Sequence, residues 1–352
     1  MTTVAPAAAA PGDLAGQPRY PFPDLPAPGE RIEVAPGVWW LRMPLPFVLD
    51  HINLWLLESP TGWTIVDTGI ASPEVQAAWE TVLAGLDKPV ERIVVTHFHP
   101  DHLGLATWLM ARTGAPLAMT AGEYLTAHAV WHQSAGHGTA DMVDFFRQHG
   151  LDAERCARLA ARDGTYRKGV PELPRRYDRL INGDTIRIGD ADWQVITGYG
   201  HAPEHAALFS CKHDVLISGD MVLPRITTNV SVFAATPRAD SLSHYLESVA
   251  RYGALGDDPL VLPSHGRPFH GLGERVAALA AHHDERLADV EAACTEAQSA
   301  GDLLPVLFKR ELDAHQVMFA MSEAIAHLNF LEHARRLHRE TGCDGVIRFR
   351  RP

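Results

Sequence analysis

Seven consecutive residues, Thr96-His97-Phe98-His99-Pro100-Asp101-His102, place three imidazoles and a carboxylate directly after the apolar run Ile93-Val94-Val95. Imidazole nitrogen and carboxylate oxygen are ligands for zinc and for neighbouring divalent metals. In extended chain alternate side chains share a face, so His97 and His99 can grip one ion while Phe98 turns into the core. Pro100 then turns the chain. Asp101 and His102 open a helical pattern that runs on to Met110, and from there they would face a second ion close to the first. The spacing predicts two metals.

This H-x-H-x-D-H run, set between a strand and a helix, resembles the signature of the metallo-β-lactamase superfamily. The resemblance implies an α/β fold, a four-layer αββα sandwich, with further ligands at strand ends in a fixed order. His201, in Gly198-Tyr199-Gly200-His201-Ala202-Pro203-Glu204-His205, matches the third histidine, and His205 becomes a supporting residue behind it. Asp220 ends the strand Val215-Leu216-Ile217-Ser218-Gly219, where a carboxylate can bridge two cations with its two oxygens. His265 follows the apolar run Leu260-Val261-Leu262. The implied sets are His97, His99, His201 and Asp220 for one ion, and Asp101, His102, Asp220 and His265 for the other. Asp67, in Asp67-Thr68-Gly69, matches a supporting aspartate that orients a ligand; alternatively it caps the turn into the next helix.

The elements that carry these groups read as strands at Arg31–Val34, Val38–Leu41, Ile52–Leu57 and Trp63–Val66, joined by Pro-Gly and Thr-Gly turns as antiparallel neighbours. A helix follows from Ser72 to Leu86. Residues of about 120–176 read as a helical lid insertion, with helices at Ala121–Gln133, Thr139–Gly150 and Ala153–Asp163. His128 and His132 stand four apart there, but Ala129 occupies the position of the glutamate in H-E-x-x-H, which removes the zinc-protease reading. Trp131, Phe145 and Phe146 are expected as apolar walls of the site. Beyond His265, helical patterns at Leu272–Ala300, Leu303–Arg310 and Gln316–Glu340 precede a short strand, Val346–Arg350. Helices followed by a small β-element resemble the winged-helix-like tail of some hydrolases of this superfamily. The expected organisation is an Ala/Pro-rich arm at 1–25, the sandwich domain at 26–272, and a mostly helical C-terminal domain at 273–352.

Composition bounds the partners. The chain has 352 residues, 46% hydrophobic, 21% charged, with a formal charge of -12. That charge argues against a general nucleic-acid binder, and acidic residues such as Glu311, Glu323 and Glu332 dilute the basic ones of the tail, which points to packing or homodimer contacts instead. No segment has the length and apolarity of a membrane span. Four cysteines without C-x-x-C spacing read as reduced thiols, and a cytoplasmic location is the expectation.

Two cations side by side make a bridging hydroxide that attacks a carbonyl or phosphoryl group. Asp101 and Asp220 are the carboxylates nearest that chemistry. The expected activity is hydrolysis of a thioester, ester or lactone. The alternatives are a phosphodiesterase or ribonuclease on the same metals, and an iron-dependent oxygenase or redox protein of the same fold. The ligand set resembles that of glyoxalase II enzymes, although Phe98 stands where their run has another histidine. All-imidazole and carboxylate ligation suits Zn2+ and leaves iron and manganese open. The stretch Leu223–Ser231 leaves Asp220 directly, so Arg225 and Asn229 are expected to line the pocket with Trp131. Arg225 would hold an anionic handle on a small acyl substrate, or else pair with a carboxylate of the fold.

Overall fold

The computed structural model describes residues 18–352; most of the N-terminal arm expected at 1–25 lies outside them. The described end of that arm is extended. Arg19 exchanges backbone hydrogen bonds with His270 at 3.0 and 2.9 Å, and its side chain pairs with Asp258.

In chain order come β1 (Ile32–Ala35), β2 (Val38–Pro44), β3 (His51–Glu58), β4 (Trp63–Val66), α1 (Pro73–Ala84), β5 (Val90–Val94), α2 (Pro100–Leu103), α3 (Ala106–Thr113) and β6 (Leu117–Thr120). The helical insertion follows as α4 (Ala121–Trp131), α5 (Thr139–Gln148), α6 (Ala153–Ala160) and α7 (Thr165–Gly169). Next are β7 (Asp178–Leu180), β8 (Thr185–Ile188), β9 (Ala191–Gly198), β10 (His205–Ser210), β11 (Val215–Gly219), α8 (Ser241–Tyr252) and β12 (Leu260–Pro263). The chain ends with α9 (Leu272–Ala293), α10 (Ala300–Leu307), α11 (Ala314–His333), β13 (His338–Thr341) and β14 (Ile347–Arg350).

β1 to β7 form one sheet in sequence order, and β12-β11-β10-β9-β8 form the second. Trp40, Trp55, Val66 and Val94 of the first sheet meet Trp193, Leu208, Ile217 and Leu262 of the second in a shared core. Trp79 of α1 and Leu109 of α3 cover the outer face of the first sheet. Tyr245 and Val249 of α8 cover the second, in a core continuous with Leu279, Leu303 and Ile325 of the C-terminal helices. The central strands β3, β4, β10, β11 and β12 hide both faces and read as largely apolar runs, whereas β8 and most of β9, towards the sheet edge, alternate buried and exposed residues. The result is the four-layer αββα sandwich. No helix of the described residues is long and apolar enough to cross a membrane.

Three expectations from sequence need correction. The helix expected from His102 to Met110 is broken between α2 and α3, because the Leu105 amide donates to Gly69 O at 3.1 Å instead of continuing the helix. There is no room for a side chain at Gly104, whose Cβ would meet the carbonyls of Gly69, Pro100 and Gly169. The helix expected over Gln316–Glu340 stops at His333: Arg335 adopts φ +59°, and the amides of Arg336 and Leu337 turn back to Leu331 O at 2.8 and 3.2 Å. Residues 338–341 then pair antiparallel with β14. Phe145 and Phe146 are not pocket walls; they are interior residues of the core shared by α5, α6 and the C-terminal helices.

Candidate metal centre

The loops leaving β5, β9, β11 and β12 bring seven ligand-type side chains together, and the loop leaving β4 sets Asp67 behind them. β4 and β5 are parallel, β11 and β12 are parallel, and β9 and β11 each run antiparallel to the β10 between them. In each sheet, therefore, the ligand-bearing loops leave at the same edge. Two backbone links join the sheets there: Ala206 N–H donates to Thr96 O (2.9 Å) and Asn53 N–H to Ser264 O (2.7 Å).

Two clusters able to hold an ion result, His97/His99/His201/Asp220 and Asp101/His102/His265. In the first, His97 Nε2 lies 2.9 Å from His99 Nδ1 and 3.3 Å from His201 Nε2. In the second, Asp101 Oδ2 lies 3.7 Å from His102 Nε2 and 3.5 Å from His265 Nε2. Asp220 joins the two. Its Oδ2 is 3.4 Å from His201 Nε2 and 3.9 Å from His97 Nε2, while its Oδ1 is 3.6 Å from both His102 Nε2 and His265 Nε2.

The ring orientations are set from behind. His102 Nδ1 donates to Asp67 Oδ2 (2.7 Å), His201 Nδ1 to Asn229 O (2.8 Å) and His265 Nδ1 to His51 O (2.8 Å), which leaves each Nε2 with a lone pair turned into the site. Asp67 also accepts from Thr96 N and Oγ1 at 2.7 and 2.8 Å, and adopts φ +61°, a backbone state rare outside glycine. It is thus a brace for His102, not a helix cap; Ser72 caps α1. His205 Nε2 accepts the backbone N–H of Asp220 at 3.2 Å. Gly219, at φ +54°, permits this approach, because a Cβ there would collide with the His205 ring.

Among the described residues the buried His102 Nε2 and Asp220 Oδ1, which face each other across the site, have no hydrogen-bond partner. Uncompensated buried groups of this kind are costly, and a cation between them resolves both; the donor set fits two divalent metals. Without a metal, burial would lower His102 and raise Asp101, yet the carboxylates of Asp67, Asp101 and Asp220 lift His102 to about 9, and His102 with His265 hold Asp101 down at about 2, so a metal entering the site would take the place of the His102 Nε2 proton. Burial, reinforced by His201, lowers His99 to about 3, which keeps that imidazole in its ligating form.

Sequence reasoning missed the residues that hold the ligand loops in place. Glu123 of α4 is fully buried, and its two oxygens accept from Phe98 N at 2.9 Å and Glu204 N at 2.6 Å. It thereby clamps the backbone between His97 and His99 to that between His201 and His205; burial pushes its carboxyl up to about 8 against the pull of those amides. Asn53 donates to Pro263 O and Gly266 O at 2.8 and 3.0 Å, fixing the His265 loop. Arg275, buried on α9, donates to Leu223 O and Ile226 O at 2.6 and 2.7 Å, fixing the loop after Asp220.

The expected pocket residues divide. Arg225 is exposed and forms no ion pair among the described residues, so the alternative of a structural carboxylate partner is not realised. Asn229 contributes its backbone carbonyl to His201, and its amide donates to Ser231 Oγ at 2.7 Å. Trp131 is built into the packing of α4 on α7: its indole donates to Val170 O at 2.9 Å and Arg167 stacks on it at 4.6 Å. His128 reaches Pro174 O at 3.2 Å and lies outside both clusters. An exposed aromatic that sequence reading passed over is Phe47, 43% exposed and 5.3 Å ring to ring from His315 of α11.

Comparison with known proteins agrees with this geometry. Residues 48–265 match the metallo-beta-lactamase superfamily and residues 287–352 match the metallo-beta-lactamase-like C-terminal domain. A crystal structure of a beta-lactamase domain protein from Burkholderia ambifaria is 50% identical, covers 95% of this chain and 97% of its own, and superposes with a TM-score of 0.87. A probable metallo-hydrolase, YqjP of Bacillus subtilis (strain 168), is 25% identical over 83% of this chain and 91% of its own length. A hydroxyacylglutathione hydrolase from Albidiferax ferrireducens is 37% identical over 81 residues, 23% of this chain and 29% of that protein. With the family match spanning the ligand loops and the sandwich that carries them, the chain belongs to the metallo-beta-lactamase superfamily and is a metallo-hydrolase of that fold.

Proposed function

We propose that the protein hydrolyses a thioester, ester or lactone of a small acyl substrate bearing an anionic group, with His97, His99, His201 and Asp220 holding one divalent metal and Asp101, His102, Asp220 and His265 the other. The observation that carries this reading is the split of Asp220, whose Oδ2 faces one cluster at 3.4 Å and whose Oδ1 faces the other at 3.6 Å. Divalent cations, Zn2+ by the chemistry of this donor set, supply Lewis acidity, making water nucleophilic at neutral pH and polarising the acyl oxygen. The chain's own part is positioning. Asp67, Asn229 and His51 fix the imidazoles, and His205 and Thr228 fix Asp220 from its N–H (3.2 Å) and its carbonyl (2.6 Å).

The exposed groups on the loops near the ligands support this substrate class. Arg225 projects from a loop pinned by Arg275, and its charge acts on Tyr20 together with those of Arg275 and Arg267, so cationic groups gather on this side. Phe47, Val48 and Ile226 are exposed apolar side chains, 43%, 83% and 41% accessible. An acyl chain with a carboxylate or phosphate handle complements both features, and the local likeness to a hydroxyacylglutathione hydrolase supports an acyl substrate.

The test is a screen of thioester, lactone and phosphodiester substrates on metal-analysed protein, followed by Arg225→Ala. Removing Arg225 is expected to raise KM for anionic esters or thioesters and spare neutral ones, because it removes binding to the handle rather than to the reacting carbonyl. Faster cleavage of bis-p-nitrophenyl phosphate than of every acyl compound overturns the reading. So does isolation with iron and a redox activity in place of hydrolysis.

A further inference from the structure

A second group of metal-binding side chains lies among the helices that follow the sandwich. His283 of α9 and Glu323 and His327 of α11 each offer one ligand atom, all within 4.8 Å of one another. Glu323 and His327 stand four apart, so they share one face of α11, and His283 meets them from the neighbouring helix. We propose that these three residues form a separate site for one zinc-like divalent cation, which ties α9 to α11.

Three features argue for a cation there. First, the tautomer of His327 is fixed: its Nδ1 donates to the Glu323 carbonyl at 2.8 Å, so Nε2 carries the lone pair and points at His283. Second, the three groups face each other with too few protons to go round. The Glu323 carboxylate receives no hydrogen bond among the described residues, and the His283 nitrogen that faces His327 is Nδ1, while its Nε2, on the far side of the ring, is buried without a partner among those residues. A bond between the two rings, whose nearest nitrogens are 3.3 Å apart, satisfies one acceptor and leaves the carboxylate alone. Third, that separation equals the 3.3 Å between His97 and His201 in the principal centre, and it matches the edge of roughly 3.4 Å expected for a tetrahedron with zinc–nitrogen bonds of about 2.0–2.1 Å.

The surroundings favour the ligating forms. Burial lowers His283 to about 2 and His327 to about 4, so both imidazoles are neutral near pH 7. Burial raises Glu323 to about 7, so a cation has only to displace one weakly held proton. Arg286, whose charge acts on Glu323 and His327, pairs with Asp289 at 2.8 Å through one nitrogen and keeps its buried Nε without a partner among the described residues. Both histidines are fully buried while Glu323 is partly open, which leaves water access for a fourth ligand. The site is coupled to the main centre through one side chain: the Tyr245 ring packs 5.7 Å from His283, and its hydroxyl donates to Met221 O at 3.1 Å, next to Asp220.

The experiment is a zinc titration of the metal-free full-length protein against a chelating indicator, for wild type, Glu323→Gln and His283→Gln. Each variant is expected to bind one equivalent fewer than wild type. Asp220→Ala should keep that equivalent while losing those of the principal centre, so failure here is distinguishable from failure of the proposed activity. Equal stoichiometry in wild type and in folded Glu323→Gln overturns the proposal. Zinc anomalous scattering from crystals of the loaded wild-type protein decides independently of any variant: a peak between His283, Glu323 and His327 supports the site, and its absence there overturns it.

Discussion

Replacing Glu123 tests whether the metal centre depends on a residue that touches no ligand side chain. Its carboxyl oxygens accept the backbone amides of Phe98 and Glu204 at 2.9 and 2.6 Å. In Glu123→Gln the shape is kept, but one oxygen becomes an NH2 that faces a donor. One buried N–H is then unsatisfied, at about 1–3 kcal/mol. Glu123→Ala strands both amides, which makes the cost about 2–6 kcal/mol before any cavity is counted. Because the clamp joins the loop of His97 and His99 to that of His201, part of this loss should appear in metal binding. A decrease of roughly 10- to 100-fold in affinity is expected, as for other residues behind a metal's ligands. Chelator competition reads the affinity, and denaturant unfolding of the metal-free protein reads the stability. Tyr166→Phe is the matched control, since it removes a 2.7 Å bond to Phe98 O on the same loop without unpairing an amide. If Glu123→Gln lowers stability by the expected amount while zinc affinity stays at the wild-type value, the clamp is structural only and the reasoning fails.

Asp220→Ala is expected to empty or scramble both positions of the principal centre, whereas His205→Ala retains most of the metal and loses about 1–3 kcal/mol of stability for the stranded Asp220 amide; equal metal loss in the two refutes the bridge. Asp67→Ala should lower metal affinity or activity by about 10- to 100-fold, because His102 loses the carboxylate that fixes its Nδ1 proton; wild-type behaviour would reduce Asp67 to a turn residue. Burial lowers His149 to about 4 from its usual 6.5, so the unfolded chain takes up the proton first as pH falls, and stability is lost between pH 6.5 and 4. The loss is about 3 kcal/mol, and urea unfolding of metal-free wild type and His149→Gln at pH 7 and pH 4 should show a loss smaller by that amount in the variant, since the other buried histidines contribute equally to both; equal losses refute the assignment.

What sequence could and could not disclose here has a physical basis. His97, His99, Asp101 and His102 are adjacent in the chain, so their common purpose is visible without any tertiary knowledge, and His201, Asp220 and His265 end apolar runs whose strand character is plain. The braces are different. Glu123 acts 25 residues from Phe98 and 81 from Glu204, and Asn53 acts 210 residues from Pro263. Both bind main-chain atoms, which every residue has, so no side-chain pattern at the far end marks the partner. A trace is present all the same: Asn53 interrupts the apolar run Ile52–Leu57 of a strand buried on both faces, where an amide is costly unless its hydrogen bonds are filled. Arg275 follows the same rule on α9, a cation 2% exposed that donates to two carbonyls.

Sequence alone gives Trp131, Phe145 and Phe146 the look of pocket walls. Aromatic residues in a helical insertion look available while the insertion is imagined over open solvent. In the structure α6 packs on α11, so the inner face of the insertion is already occupied by the C-terminal helices, and Phe145 and Phe146 go into that contact. Phe47 and Val48 on the loop before β3 and Arg225 and Ile226 on the loop after Asp220 stay exposed, and Phe47 lies 5.3 Å ring to ring from His315 at the start of α11. On the proposed acyl substrate, substitutions at Phe47 or His315 are expected to alter KM between acyl chains while leaving metal content unchanged, and unaltered KM values across chain lengths refute a role for this pair.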